Sequence, residues 1–130
     1  MGQADEAVEV LVDHLISVRA KGLVDDEIEC LMLLADAHRC LGNREIAEAH
    51  LDDLAEPAAR GKYRYIQAKA AVVRAELERD EGRLVEAIAA ATDAYRLAWC
   101  DGPPYTYYWT LKRAEELLRE LGAPVPPINR

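Results

Sequence analysis

Glycine falls on a ruler in this chain, and that spacing limits the folds open to it more than any other feature. Gly82-Arg83-Leu84-Val85-Glu86-Ala87 has near-copies forty and eighty residues earlier, at Gly42-Asn43-Arg44-Glu45-Ile46-Ala47 and Gly2-Gln3-Ala4-Asp5-Glu6-Ala7, and Gly122 stands forty residues later. Gly22 and Gly102 lie halfway between copies, and Gly61 is one residue off the same twenty-residue beat. Glycine stops helices because it alone enters the left-handed conformation without steric cost, so a turn every twenty residues leaves about eighteen for each helix. The spacing predicts a stack of helical hairpins, and a fixed period of this size is the mark of a solenoid.

Composition agrees. Hydrophobic residues make up 51% of the 130, mostly alanine and leucine with no phenylalanine, and 31% are charged, which is helix-bundle composition. The length fits one domain, taken as residues 1–122, followed by a proline-rich tail over 123–130. A net charge of −8 argues against nucleic acid and against anionic membrane surfaces, both of which would repel the chain before contact. Three cysteines, Cys30, Cys40 and Cys100, form no Cys-x-x-Cys pair and fit neither a disulfide framework nor a zinc knuckle. No apolar stretch approaches the roughly 18 residues of a membrane span. The expectation is a cytoplasmic protein.

Taken in order, residues 3–20 read as a first helix that is apolar around most of its circumference and expects neighbours on two sides. A second is expected from about Asp25 to Leu41, opened by Asp25-Asp26-Glu27 and closed by Gly42, with Ile28, Leu31, Leu34, Ala35 and His38 on one face. A third is capped by Asn43 and turns Ile46, Ala47, His50, Leu51 and Leu54 inward, ending or kinking near Ala55 because of Pro57. The fourth runs from near Tyr63 to Glu81 on a stripe of Ile66, Ala70, Val73 and Leu77. The fifth, from about Leu84 to Trp99, carries Ala87, Ala89, Ala90, Ala91 and Ala94, small enough for close helix approach. Gly102-Pro103-Pro104 announces a sixth, ending at Leu121-Gly122, and the tail is expected to be extended or disordered.

The two complete units, Ile28 to Ala59 and Ala68 to Trp99, each resemble a tetratricopeptide repeat: a helix, a Gly-x turn, then a second helix with alanine five residues after the glycine. In the first unit Leu31, Leu34, Ala35 and His38 fall where that family puts its first-helix packing residues, and Ala47, Leu51 and Leu54 match the second-helix positions. In the second, Ala71, Ala75, Ala87, Ala91 and Ala94 are small substitutes, while Arg74 and Glu78 stand where leucine and tyrosine are usual. The period of forty exceeds the family's, which is about thirty-four. The longer repeat is similar to the helical-repeat arms of bacterial STAND-class signalling NTPases, and Ala98 to Trp109 looks like a segment near the end of bacterial tetratricopeptide proteins. The resemblance implies an all-α, right-handed α-solenoid of about six antiparallel helices that binds a protein or peptide segment in its concave groove. It also implies one portion of a longer signalling or regulatory protein, because the chain opens on a second helix whose first helix is missing.

Catalytic chemistry finds no constellation. Ser17 is the only serine and lacks a nucleophile-elbow context. No glutamate stands three residues before His14, His38 or His50, as a di-iron bundle site requires, and no Gly-rich loop leads to Lys-Ser or Lys-Thr. His50 and Asp53 could share a helix face and hold a metal, yet two ligands without a third are more often a packing pair. Neither catalytic residues nor a cofactor nor a metal site is expected.

Two binding surfaces and one self-association surface remain. Asp36-x-x-Arg39, Glu76-x-x-Arg79 and Glu116-x-x-Arg119 repeat an acid and an arginine at the ends of successive first helices, where stacking would align them into a ladder along the groove. The competing reading is three intrahelical ion pairs worth a few tenths of a kcal/mol each. Tyr63, Tyr65, Tyr105, Tyr107, Tyr108 and Trp109 form an aromatic surface, with Lys69 and Lys112 beside the groove, and the competing reading is a cap on the last helix. On the first helix Val8, Leu11, Val12, Leu15 and Ile16 exceed what one following hairpin can cover, so a homodimer through that helix is expected. A ligand- or metal-binding helical bundle enzyme holding His38, His50 and Asp53, and a structural oligomerisation arm, are the alternatives.

Overall fold

The computed structural model describes residues 2–61, 63–100 and 106–126, which form six α-helices and no strand. They are α1 (Gly2–Lys21), α2 (Val24–Cys40), α3 (Arg44–Arg60), α4 (Arg64–Asp80), α5 (Leu84–Trp99) and α6 (Tyr108–Glu120). The chain divides into two compact units, Met1–Lys62 with α1 to α3 and Tyr63–Arg130 with α4 to α6.

Among the described glycines, four are left-handed stops. Gly22, Gly42, Gly82 and Gly122 have φ of 69°, 78°, 76° and 71°. After α2, the Gly42 N–H donates to the Arg39 carbonyl at 3.0 Å and the Asn43 N–H to the His38 carbonyl at 2.8 Å, the paired bonds of a Schellman motif. The same pair of bonds closes α1, α4 and α6. The rest of the ruler marks other things: Gly2 begins α1, Gly61 caps α3 with φ −82°, in the right-handed region, and Gly102 lies outside the described residues.

In the first unit, turns of two and three residues join α1 to α2 and α2 to α3, so neighbours run antiparallel. Packed against both, α2 buries Ile28, Cys30, Leu31, Met32, Leu34 and Ala35, wider than the single expected face. The Cys30 thiol donates to the Leu11 carbonyl at 3.2 Å, and burial pushes that thiol up. Along α3 the buried stripe is Ala47, Leu51, Leu54 and Ala58, whereas Ile46 is 46% exposed, one residue and about 100° off that stripe. The helix also runs through Pro57 to Arg60 instead of ending near Ala55. One amide donor is lost, but Ala58 is buried beyond it and the Gly61 N–H closes the last turn onto the Pro57 carbonyl at 3.0 Å. Asn43 caps α3 by position alone: its side chain makes no cap bond and lies 3.2 Å from His38 Nδ1 instead.

In the second unit α5 packs against both α4 and α6, and α4 and α6 touch each other. Contacts between these two run in register from start to end: the Tyr65 and Tyr107 rings at 5.1 Å, Glu76 with Arg113 at 2.9 Å, and Arg79 with Glu120 at 2.9 Å. The two helices are therefore parallel neighbours with α5 returning between them. The shared core is Val72 and Ala75 of α4, Ala91, Ala94 and Tyr95 of α5, and Ala114, Leu117 and Leu118 of α6. Alanines on α5 allow this approach as expected, except Ala89, which faces solvent. Because α4 is covered on two sides, Ala68, Val72, Ala75, Glu76 and Glu78 are buried in addition to Ile66, Val73 and Leu77 of the expected stripe, while Ala70 is half-buried.

One expectation about the end of the chain changes, and the tail, expected to be extended or disordered, is non-helical over 123–126 and lies outside the described residues from 127 on. Pro103 and Pro104, expected in the first turn of the sixth helix, lie outside the described residues, and α6 begins at Tyr108. Its start is tied to α5 by the Tyr107 N–H on the Ala98 carbonyl at 2.8 Å and the Thr106 hydroxyl on the Trp99 carbonyl at 3.1 Å. In the tail, Ala123 and Val125 pack against the shared core, because the Schellman turn at Gly122 sends the chain back along it.

Candidate functional site

The acid and arginine repeats share a place in sequence but pair differently. Arg39 bonds Asp36 at 3.2 Å, three residues back on the same helix. Arg79 reaches instead to Asp80 at 3.2 Å and across to Glu120 at 2.9 Å, and Glu76 is taken by Arg113. Arg119 pairs with Glu115, one turn back, and Glu116 lies exposed. Where a parallel helix lies alongside, a cross-helix carboxylate competes with the one three residues away. Each of these arginines, and Arg19 of α1 as well, stands three residues before a left-handed glycine. That is the last helical turn, where a cation offsets the negative end of the helix dipole.

The α4/α6 surface carries the other candidates. Glu76 is only 8% exposed, and the Arg113 guanidinium holds it from the neighbouring helix. Burial of Arg113 works against its charge, but the hydrogen bond and charge of Glu76, with Glu120 and Glu116 nearby, more than offset this and hold it more firmly protonated than usual. Arg113 was absent from the sequence reading. The repeat does not point to it, since the residue one full period on from Glu76 is Glu116, and Arg113 stands about one helical turn before that.

Toward the starts of α4 and α6 the surface turns aromatic and basic. Lys69 Nζ sits 4.6 Å from the centroid of the Tyr65 ring, which contacts Tyr107. Tyr108 and Trp109 meet edge to face at 5.1 Å, and Trp109 is 80% exposed. Lys112, one turn along from Trp109, is exposed as well. Trp109, Lys112, Glu116 and Arg119 therefore share the outer face of α6 at three- and four-residue steps. Of the other expected aromatics, Tyr63 stands at the N-cap of α4, half-buried, and Tyr105 lies outside the described residues.

In the first unit the His38 and His50 rings lie 5.7 Å apart, and His50 Nδ1 is buried without a hydrogen-bond partner. Desolvation, then the nearby charge of His38, lowers the His50 pKa; Asp53 works the other way and Arg19 adds to the lowering. No group of three potential metal ligands occurs among the described residues. A shallow groove of about 670 Å³ lies between α1 and α2, lined by Gln3, Ala7, Val10, Leu33, Asp36 and Cys40 among others. Of the residues expected to mediate self-association, Leu15 is buried, because α1 packs it onto α2, while Val8 and Leu11 are half-buried and Val12 and Ile16 exposed. Among the described residues no helix is long and apolar enough to cross a membrane. Compared with family models, curated proteins and solved structures, the chain matches none.

Proposed function

We propose that the chain is a non-catalytic binding module of tetratricopeptide-like build, a right-handed solenoid that holds a protein or peptide segment against its first helices. It works in the cytoplasm as part of a larger signalling or regulatory protein. Support comes from the order of the second unit, in which α4 and α6 run parallel with α5 returning between them, as successive first helices do in such repeats. The observation that carries the reading is Trp109, a large apolar side chain 80% exposed on the face of α6 that also presents Lys112 and Glu116, with Lys69 over Tyr65 near the start of the neighbouring α4. Tryptophan in that setting is typical of an interface anchor. Arg79 and Arg119 close this face at its far end, with Glu76 held between the helices, and Asp36 and Arg39 occupy the equivalent turn of α2. A photo-crosslinking residue at position 109 is expected to capture a discrete protein from cell extract, while the same residue at Val85, exposed on α5, captures none. Equal labelling at both positions counts against the reading.

A second reading, self-association through α1, draws on the 64% exposure of Ile16 and the exposed Val12. Light scattering on the chain and on its Val12→Glu variant tests it: a dimer dispersed by the substitution supports it, and a monomer at high micromolar concentration removes it.

A further inference from the structure

We infer that the partner of the α4/α6 face is an acidic peptide segment with a bulky apolar anchor, its carboxylates held by Lys69 and Lys112 and its anchor against Trp109. The inference rests on the binding-module reading above and specifies the chemistry of its partner.

Acidic residues are missing from the first part of α4 and of α6. Residues 63–75 and 106–114 contain Arg64, Lys69, Arg74, Lys112 and Arg113 and no Asp or Glu, although the chain as a whole is acidic at −8. At the chain's own composition that length would hold about four acids. An acid in the first turn stabilises a helix against its positive end, and α1, α2, α3 and α5 each have one there, whereas α4 and α6 have none. Because α4 and α6 are parallel, their two starts, neither with an acid in its first turn, lie on the same side of the unit. A local rule kept in four helices and dropped in the two adjacent ones points to a use for the positive charge there.

The cations there are not equivalent. Arg113 is committed to Glu76, and the Arg64 guanidinium lies 3.6 Å from Cys100 Sγ. Neither Lys69 nor Lys112 has an acidic partner among the described residues. Lys69 is held over the Tyr65 ring, which orders the side chain while leaving its ammonium able to take an anion. Lys112 follows Trp109 by one turn, so a carboxylate on it and an apolar side chain on the indole would come from neighbouring positions of one bound segment. An acidic peptide suits this surface better than a nucleic acid, because it brings a few carboxylates beside an apolar anchor for Trp109, whereas a nucleic acid brings a phosphate with every nucleotide against the field of a chain of net charge −8.

The test uses the full chain and fluorescence anisotropy with four labelled probes: a peptide of glutamates around a central leucine and phenylalanine, its glutamine counterpart, its lysine counterpart, and an oligothymidylate of similar charge. The glutamate peptide is expected to bind about tenfold or more tighter than the glutamine peptide, and to weaken as salt rises. Lys69→Glu with Lys112→Glu is expected to reduce its binding about tenfold with an unchanged thermal melt, and Lys69→Arg with Lys112→Arg to retain it. Equal binding of the glutamate and glutamine peptides, tighter binding of the lysine peptide or the oligothymidylate, or indifference to the paired Glu substitutions overturns the inference. If the neutral peptide binds as well as the acidic one and Trp109→Ser abolishes both, peptide docking at this face stands and only the acidic preference falls. If no peptide binds, both fall.

Discussion

A Cβ built on Gly42 or Gly82 meets no atom within 4 Å, so a side chain at either position costs backbone strain and nothing else. With φ of 78° and 76°, replacement by alanine is expected to destabilise by about 1 kcal/mol, and by valine somewhat more. Gly61, exposed and at φ −82°, supplies the contrast: Gly61→Ala is expected to leave stability unchanged or raise it slightly. Thermal melts of the three alanine variants check this, and a loss at Gly61 equal to that at Gly42 would contradict the assignment of hands. The period was legible because each stop falls at the same distance; the hand of Gly61 was not, because spacing shows where a helix ends and not which cap it uses. At His50 the direction with pH follows from its lowered pKa. The unfolded chain takes up a proton near the ordinary histidine value, so stability is retained above that value and falls as pH drops toward the folded pKa. Urea unfolding at descending pH is expected to show this decline, and His50→Gln to flatten it.

Between elements, the informative contact is the one that joins α4 to α6. Glu76 and Arg113 form a pair whose carboxylate is buried and whose guanidinium side chain is 33% exposed. Removing the cation alone, as Arg113→Leu, takes the Arg113 charge and hydrogen bond from a buried carboxylate and is expected to cost about 2 kcal/mol, less than in a fully buried pair because solvent reaches the arginine. Removing both, as Glu76→Leu with Arg113→Leu, is expected to restore most of that loss. Denaturant unfolding of the two single variants and the double gives the coupling energy, and additive losses would mean the pair is incidental. Much of each helix was visible in the spacing of apolar residues, α5 end to end. Which helices lie side by side was visible only through the ruler, and the partners of Glu76 and Arg79 were not visible at all. An acid and an arginine three apart look paired on an isolated helix, and only a parallel neighbour supplies Arg113 and Glu120 as competitors. Pro57 misled for a related reason: its lost bond is local, while the buried Ala58 that keeps the last turn helical is a tertiary fact.

At the scale of the whole molecule, the division into two units makes a claim about folding that the forty-residue period does not. The second unit has a core of its own, built from Val72, Ala75, Ala91, Ala94, Tyr95, Ala114, Leu117 and Leu118, with Ala123 and Val125 of the tail laid over it. It also contains every side chain assigned to the acidic-peptide site. A domain of this length is near the lower limit for a single core, so each contribution counts. Residues 63–130 made alone are therefore expected to fold as a helical domain with a cooperative melt, and to bind the glutamate peptide with the affinity of the full chain. Ending the fragment after Gly122 removes the apolar cover of Ala123 and Val125 and is expected to cost about 1 kcal/mol. Circular dichroism, amide dispersion in a nitrogen-proton correlation spectrum and the anisotropy titration together read the outcome. A fragment that is helical but melts without cooperativity would show that its core is incomplete without the first unit, and a well-folded fragment that no longer binds would move the peptide site out of the α4/α6 face.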